Sequence, residues 1–334
     1  MAAPIERIKS SIDMTLGGPH RDIFARAVSN VLATELAKIT YAQIIDGLPL
    51  ASVAEETESN LLPDRHPLFD VHTELCPGVL EKTEEFRAQF DPGSLELDAN
   101  LINAYRVASP GSRAFKTRLI EMIAVAIHEI AVQLFKLGTS LHTNDPIASW
   151  VPAKDDMFWR FFPQGAWPTL FRHRWYVDDD QYPDGVADVV GYWAEARILG
   201  GVVLFDRRDP ATCPDAQPDS IWFHSERVDV TYRMYQLLDE QKQQLLDFLT
   251  SESPDLNLLP ILGDEKNTRR EDPEEPLENT GIYRNIYERK PLGEDDGDYR
   301  YKDVWDKFEF PTTADMMRAR GRAYDRRAGP YHRR

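Results

Sequence analysis

The stretch RAFKTRLIEMIAVAIHEIAVQLFKLG, residues 113–138, decides the fold class of this chain. Its apolar residues recur at helical spacing and cover nearly every face of the helix. Ser112 stands just before it, where a hydroxyl can accept hydrogen bonds from the free amides of a first turn, and Gly138 can end the helix. A helix that is apolar all round is stable only where other elements shield it from water. We therefore predict that this stretch forms the central helix of a bundle.

Helical spacing returns on both sides of the central stretch. We predict further helices at residues 21–45, 78–90, 95–107, 184–199 and 230–249. Two short runs of β-branched and aromatic residues, 202–205 and 221–223, favour a single β-hairpin. The predicted fold class is mainly α: a helical bundle with a small β-hairpin and an extended C-terminal arm.

The helical periodicity of the sequence ends near residue 252. Residues 1–252 carry the helical periodicity and the candidate metal ligands, so we predict that they form one helical domain. Residues 253–334 are rich in Glu, Asp, Arg, Pro and Gly, yet they keep aromatic anchors such as Tyr283, Trp305 and Phe310. We predict that this segment is a charged, extended arm that packs on the bundle.

Composition and charge exclude several functional classes. The 334 residues are 42% hydrophobic, enough for a core, and the formal net charge of −17 opposes binding to nucleic acid or to anionic membranes. The sequence has no apolar run of membrane-spanning length and no secretory signal at its start. Cys76 and Cys213 can form at most one disulfide, which favours a reducing compartment. We expect a cytoplasmic protein with a small-molecule partner, and the oligomeric state stays open.

The central helix places two polar side chains in the predicted core. Glu121 and His128 are seven residues apart, about two helical turns, so both point to the same side. A buried carboxylate needs a basic partner, hydrogen-bond donors or a metal ion, and Glu121 is therefore a candidate catalytic carboxylate. The alternative for His128 is a neutral imidazole that forms hydrogen bonds within the core.

A second motif combines nitrogen and sulfur donors. His72 and Cys76 are separated by four residues in DVHTELC, which places imidazole and thiolate side by side in a helical turn. This donor pair suits zinc, and His128 could supply a third ligand from the central helix. The alternative is that Cys76 packs as a small hydrophobic side chain and that His72 is an ordinary surface histidine.

Glu195 is a third candidate, because it lies between Trp193 and Arg197 in an otherwise apolar helix. Beside a metal ion it could act as a fourth ligand or as a general base. The alternative is a structural ion pair with a basic side chain, either Arg197 or one of Arg118, Arg172 and Arg174.

Several common catalytic motifs are absent. The sequence has no G-x-G-x-x-G after a strand, no P-loop and no G-x-S-x-G, and His128-Glu129 is followed by Val132 where a zincin helix needs its second histidine. Residues 150–178 are dense in aromatic side chains and prolines. Such a segment either lines a pocket for a flat ligand or seals the ends of helices.

The runs IEMIAVAIHEIA, residues 120–131, and GYWAEARILGGVVLFD, residues 191–206, resemble the fungal cyclopenase-type proteins. That resemblance implies a haemocyanin-like helical fold, a bound zinc ion and a place in fungal secondary metabolism. The implied reaction is the ring contraction of the benzodiazepinedione cyclopenin to the quinolone viridicatin in alkaloid biosynthesis. On this hypothesis zinc polarises a carbonyl or epoxide oxygen while Glu121 or Glu195 moves the proton.

Two other functions stay open beside the zinc-dependent enzyme. One is a non-catalytic helical scaffold or protein-interaction module, in which the polar groups of the core are satisfied by one another. The other is a dinuclear copper or iron site that binds oxygen. That site needs about six histidines on paired helices, whereas this chain has eight in total, scattered along its length. The zinc hypothesis with ligands His72, Cys76 and His128 is therefore preferred.

Overall fold

The computed structural model describes residues 8–57, 62, 65–142, 145–156, 158–161, 165–290, 308 and 310–327. Of the described residues 46% are helical and 9% lie in strands, which confirms a mainly α chain. The helices are α1 (Ile12–Thr15), α2 (Gly18–Leu32), α3 (Glu35–Asp46), α4 (Ala51–Glu55), α5 (Leu68–Val71), α6 (Val79–Gln89), α7 (Ala99–Val107), α8 (Arg113–Lys136), α9 (Phe158–Phe161), α10 (Val186–Leu199), α11 (Asp239–Thr250), α12 (Leu277–Thr280) and α13 (Thr313–Arg327). The strands are β1 (Lys9–Ser11), β2 (Glu96–Asp98), β3 (Val202–Asp206), β4 (Ile221–His224), β5 (Met234–Gln236), β6 (Arg270–Glu271) and β7 (Ile282–Tyr283).

Helix α8 is the predicted central helix. The Ser112 hydroxyl accepts a hydrogen bond from the Phe115 amide at 3.1 Å, so the predicted cap is present. The helix packs against α10 most extensively and also against α2, α3 and α7. Because its neighbours cover it on several sides, its apolar surface is shielded as the sequence requires. A haemocyanin-like arrangement of these helices stays a prediction.

The sheet is larger than the predicted hairpin. Strands β3 and β4 pair antiparallel, as predicted, and Val202 lies opposite His224. Three further strands extend them into one five-stranded antiparallel sheet in the order β6-β5-β4-β3-β7. Both edge strands, β6 and β7, come from the segment predicted to be an extended arm. Each has two residues, too few for a detectable strand periodicity.

Three predicted helices differ from the observed helices in their bounds. The helix predicted at 21–45 is two helices, α2 and α3, which meet at Thr34. The Thr34 hydroxyl accepts a hydrogen bond from the Ala37 amide at 3.1 Å, which caps the start of α3, and donates one to the Val31 carbonyl at 2.8 Å, near the end of α2. The helix predicted from residue 95 begins at Ala99, after the short strand β2. The helix predicted from residue 230 begins at Asp239, because the residues before it include β5.

Helix α10 separates two parts of the apolar core. One part lies between α10, α8 and one face of the sheet, and the other lies on the opposite face, where Tyr176, Tyr192 and Trp222 pack together. Every residue of α10 from Ala187 to Leu199 is buried. Any polar side chain on α10 is therefore inside the protein. Among the described residues, no helix has the length and apolar character needed to cross a membrane.

A candidate metal centre at the end of helix α3

Four side chains with metal-binding atoms converge where α3 ends. One oxygen of Asp46, one ring nitrogen each of His72 and His142, and the sulfur of Cys76 all lie within 4.8 Å of one another. Asp46 and His72 are buried, and Cys76 and His142 are partly exposed. The cluster therefore has a buried side and a side that reaches the surface, and it could hold a metal ion.

Asp46 is fixed by the turn that ends α3. Gly47 adopts a φ of +109°, and a β-carbon at this position would lie 1.8 Å from the Ser140 hydroxyl oxygen. The absence of a side chain at Gly47 lets the segment after α8 approach closely. The Ser140 hydroxyl and the Leu141 amide each donate to the Asp46 carbonyl at 3.0 Å. These contacts bring His142 to the end of α3.

His72 follows α5 and is held through both ring nitrogens. Its Nδ1 lies 2.9 Å from the Pro49 carbonyl oxygen, and its Nε2 lies 3.1 Å from Asp46 Oδ2. Its own carbonyl accepts from the Ala51 amide at 2.9 Å, which ties this turn to the start of α4. A carbonyl acceptor at Nδ1 leaves Nε2 as the nitrogen that a metal ion could bind, an orientation typical of metal-bound histidines.

Cys76 and His142 complete the cluster. The Cys76 amide donates to Asp46 Oδ2 at 2.9 Å, and its sulfur lies 3.4 Å from His142 Nε2. His142 Nδ1 lies 2.8 Å from Asp145 Oδ2. Both histidines therefore direct Nε2 at the centre of the cluster while an oxygen acceptor holds Nδ1. A carboxylate behind a histidine ligand raises its basicity and orients the ring.

The electrostatics of the cluster centre on Asp46. Burial alone would raise the pKa of Asp46, but hydrogen bonds from His72 and Cys76 outweigh it and lower that pKa. Burial opposes a charge on His72, yet the contact with Asp46 raises its pKa. Burial, and then the Asp46 carboxylate, raise the pKa of the Cys76 thiol. Asp46 Oδ1 forms no hydrogen bond within the described residues and lies 3.5 Å from His142 Nε2. A buried anionic oxygen of this kind needs a cation beside it.

His128 does not belong to this cluster, contrary to the prediction that it joins His72 and Cys76. Its Nε2 lies 2.8 Å from Asp188 Oδ1, and its Nδ1 lies 3.8 Å from Glu195 Oε2. Gly191 allows this contact between α8 and α10, because a β-carbon there would lie 2.5 Å from His128 Nε2. His142 takes the place that the sequence analysis had assigned to His128.

The two predicted catalytic carboxylates have counter-ions elsewhere in the core. Glu195 is fully buried, and its Oε1 accepts from the Val203 amide and from Arg284 Nη1, both at 2.7 Å. Glu121 forms ion pairs with Arg118, one helical turn before it, and with Arg207 at 2.5 Å. Neither carboxylate belongs to the metal-binding group. The sequence alternative of a structural ion pair describes both, although Arg284 was not among the partners foreseen for Glu195.

Described aromatic residues of the segment 150–178 contact other parts of the chain. The Phe171 ring packs on Trp193 with centroids 4.7 Å apart, and the Trp150 ring lies 5.2 Å from that of His66. Phe171 and Tyr176 are fully buried. These contacts match the alternative in which the aromatic segment seals the helical core.

Asp46 and His142 are the members of the cluster that the sequence analysis missed. Asp46 lies at the end of a periodic helix, directly before a glycine, where an acidic residue has no special meaning by itself. His142 has one weak signal, the spacing HTND, which places a carboxylate three residues after it. The two cysteines are both free, so Cys76 is available as a ligand.

Comparison of the chain with protein-family models, with curated proteins and with solved structures found no match.

Proposed function

We propose that this protein binds one zinc ion through Asp46, His72, Cys76 and His142, and that the ion holds three separate segments of the chain together. The observation that supports this proposal is the convergence of four donor atoms of the right types within 4.8 Å. The segments are the end of α3, the stretch between α5 and α6, and the loop after α8.

Three donor contacts in the cluster are close to the donor–donor distances of a tetrahedral zinc ion, and the four donor atoms as a set lie within 4.8 Å of one another. With bonds of about 2.0 Å to nitrogen or oxygen and about 2.3 Å to sulfur, a tetrahedron has edges of about 3.3 Å between nitrogen and oxygen and about 3.5 Å between nitrogen and sulfur. The contact between Cys76 Sγ and His142 Nε2 measures 3.4 Å. The two histidines lie near different oxygens of Asp46: His72 Nε2 is 3.1 Å from Oδ2, and His142 Nε2 is 3.5 Å from Oδ1. Zinc bound to one of these oxygens therefore requires a small shift of the side chains.

Donor chemistry and charge favour zinc over other common ions. A thiolate and two imidazoles are poor ligands for calcium and magnesium, which bind oxygen. The thiolate of Cys76 and the carboxylate of Asp46 together carry two negative charges, which one divalent cation neutralises. Such compensation explains how Asp46 can be fully buried with an oxygen that forms no hydrogen bond.

The number of protein donors favours a structural role. Structural zinc ions have four protein ligands, whereas catalytic zinc ions keep one position for water or substrate. Four donors are present here, from segments far apart in sequence. Zinc in this position would close two long loops, one between Asp46 and His72 and one between Cys76 and His142, and would thereby stabilise the fold.

A rival explanation needs no metal ion. If His72 is an imidazolium, its two N–H groups can donate to Pro49 and Asp46, and the carboxylate charge is then compensated by the ring. In this metal-free network the Cys76 sulfur and His142 Nε2 form one further hydrogen bond at 3.4 Å, but Asp46 Oδ1 forms none within the described residues. Zinc accounts for all four side chains at once.

A second candidate function is the zinc-dependent enzyme of fungal secondary metabolism that acts on a heterocyclic substrate such as cyclopenin. Partial exposure of Cys76 and His142 favours it, because one of these ligands could yield its position at the surface. Zinc in such a site supplies a Lewis acid for a carbonyl or epoxide oxygen. In this case the ligand that yields its position, Cys76 or His142, would lie beside the reacting group and could accept its proton.

The test is a competition titration of zinc against a chromophoric chelator, with metal-free protein and with the variants Cys76→Ala and His142→Ala. Cys213→Ala is the matched control, because Cys213 is also a free, partly exposed cysteine. We expect one tight site per chain, weakened at least about 100-fold by either ligand variant and unchanged in the control. Equal affinity in Cys76→Ala and Cys213→Ala would contradict the site. Turnover of cyclopenin by the zinc-loaded protein, absent from the metal-free protein and unchanged in Cys213→Ala, would favour the enzyme over the structural role.

A further inference from the structure

A cavity of about 510 Å³ lies between the start of α8 and the start of α11. Its volume is in the range of small-molecule binding sites. The lining residues are Arg113, Lys116, Gln217, Pro218, Asp219, Ser220, Ile221, Gln236, Leu237, Asp239, Lys242, Gln243 and Leu246. The wall thus combines an apolar part with a group of amides and charged side chains.

Three of the lining side chains are cations without a carboxylate partner. Arg113 and Lys116 lie in the first turn of α8, and Lys242 lies in the first turn and a half of α11. Within the described part of the chain none of the three forms a salt bridge, and the Lys242 ammonium donates instead to the backbone carbonyl of Asp219 at 2.5 Å. The lining also contains the carboxylates of Asp219 and Asp239, so three cations against two anions leave an excess of one positive charge at this cavity, in a protein whose formal net charge is −17.

The charges around Lys242 affect one another. Burial lowers the pKa of Lys242 most strongly, and the nearby charges of Arg113 and Lys116 lower it further. The carboxylates of Asp219 and Asp239 raise the pKa of Lys242 by more than these two cations lower it, so burial causes the net decrease. The positive ends of α8 and α11 border the same cavity and add to its potential. An anion in the cavity would relieve the repulsion among the three cations.

We propose that this cavity binds a small phosphate monoester, with its phosphate among Arg113, Lys116 and Lys242 and its apolar body against Ile221, Leu237 and Leu246. A phosphate carries between one and two negative charges near neutral pH and accepts several hydrogen bonds, which suits three cations better than a single carboxylate does. The lining amides of Gln217 and Gln243 add polar groups for the rest of the ligand.

This site is independent of the metal centre. The cavity borders the N-terminal end of α8, whereas His142 follows the C-terminal end of the same helix. The 24 residues of α8 separate the two ends by about 36 Å. Loss of zinc binding would therefore leave the phosphate proposal intact, and the reverse also holds.

The experiment is isothermal titration calorimetry in phosphate-free buffer, with phenyl phosphate and with inorganic phosphate as probes. The variants are Lys116→Gln and Lys242→Gln. The control is Lys82→Gln, which removes the same charge from an exposed position on α6. Thermal unfolding of all three variants checks that they are folded.

We expect saturable binding of phenyl phosphate, tighter than that of inorganic phosphate. Each cavity variant should weaken it about 10-fold, because a charge-assisted hydrogen bond is lost, and Lys82→Gln should not. Absence of saturable binding at millimolar phenyl phosphate would overturn the proposal. Equal weakening in all three variants would also overturn it, since this would be an effect of net charge alone. Equal affinity for the two probes would overturn the placement of the apolar body.

Discussion

The substitution Glu195→Gln removes one charge from a buried ion pair that ties α10 to the segment after β7. Glu195 and Arg284 have exposed side-chain fractions of 0% and 3%, and the pair measures 2.7 Å. The glutamine oxygen can still accept a hydrogen bond from the Val203 amide, so the main loss is the counter-ion of Arg284. Loss of one partner of a buried pair costs about 3–5 kcal/mol, because the other charge stays buried without compensation. We expect a loss near the lower value, since the amide oxygen still accepts a hydrogen bond.

The assay is equilibrium unfolding in urea, followed by circular dichroism, for wild type and variant. Glu252→Gln is the matched control, because Glu252 also pairs with one arginine, Arg26, but the two side chains are 84% and 40% exposed. An exposed pair contributes about 1 kcal/mol or less, so the control should lose much less than Glu195→Gln. Equal losses in the two variants, or a loss below about 1 kcal/mol for Glu195→Gln, would refute the assignment of Glu195 as a structural partner of Arg284.

Three further substitutions test separate parts of the structure. Gly191→Ala places a β-carbon 2.5 Å from His128 Nε2 and should lower the free energy of unfolding in urea by about 1–3 kcal/mol. An unchanged unfolding midpoint would contradict the close packing of α8 on α10. Gly47→Ala should weaken zinc binding in the chelator titration, because its β-carbon would displace Ser140 and the segment that carries His142; unchanged affinity would speak against that placement. Burial raises the pKa of Glu226 from 4.5 to about 8, so the folded protein keeps a proton that the unfolded chain releases. The free energy of unfolding of wild type relative to Glu226→Gln should therefore fall between pH 5 and pH 8, by up to about 1.4 kcal/mol per pH unit, and a pH-independent difference would contradict the shift.

The elements that could be predicted from the sequence are those whose signals lie within the element itself. Helix α8 has an apolar surface, a serine cap and a glycine after its end, and all three signals agree. The pairing of β3 with β4 was predicted from two apolar runs. The edge strands β6 and β7 were not, because two-residue strands exist only through their hydrogen bonds to neighbours distant in sequence.

Two of the four residues of the candidate site, His72 and Cys76, were identified from the sequence. His72 and Cys76 are four residues apart, so a local spacing rule can find them, although the turn that holds them is not a regular helix. Asp46 and His142 join them only because the segment after α8 docks on the last carbonyl of α3. No spacing in the sequence encodes that contact. His128 was assigned in place of His142 because it is buried on the central helix, where its hydrogen bond to Asp188 could not be foreseen.

The most direct measurement of the central claim is X-ray absorption at the zinc edge for protein loaded with one equivalent of zinc. A site formed by Asp46, His72, Cys76 and His142 predicts one sulfur at about 2.3 Å and three nitrogen or oxygen atoms at about 2.0–2.1 Å, with the sulfur shell lost in Cys76→Ala. A coordination shell of six light atoms without sulfur, or a spectrum that Cys76→Ala leaves unchanged, would contradict the site.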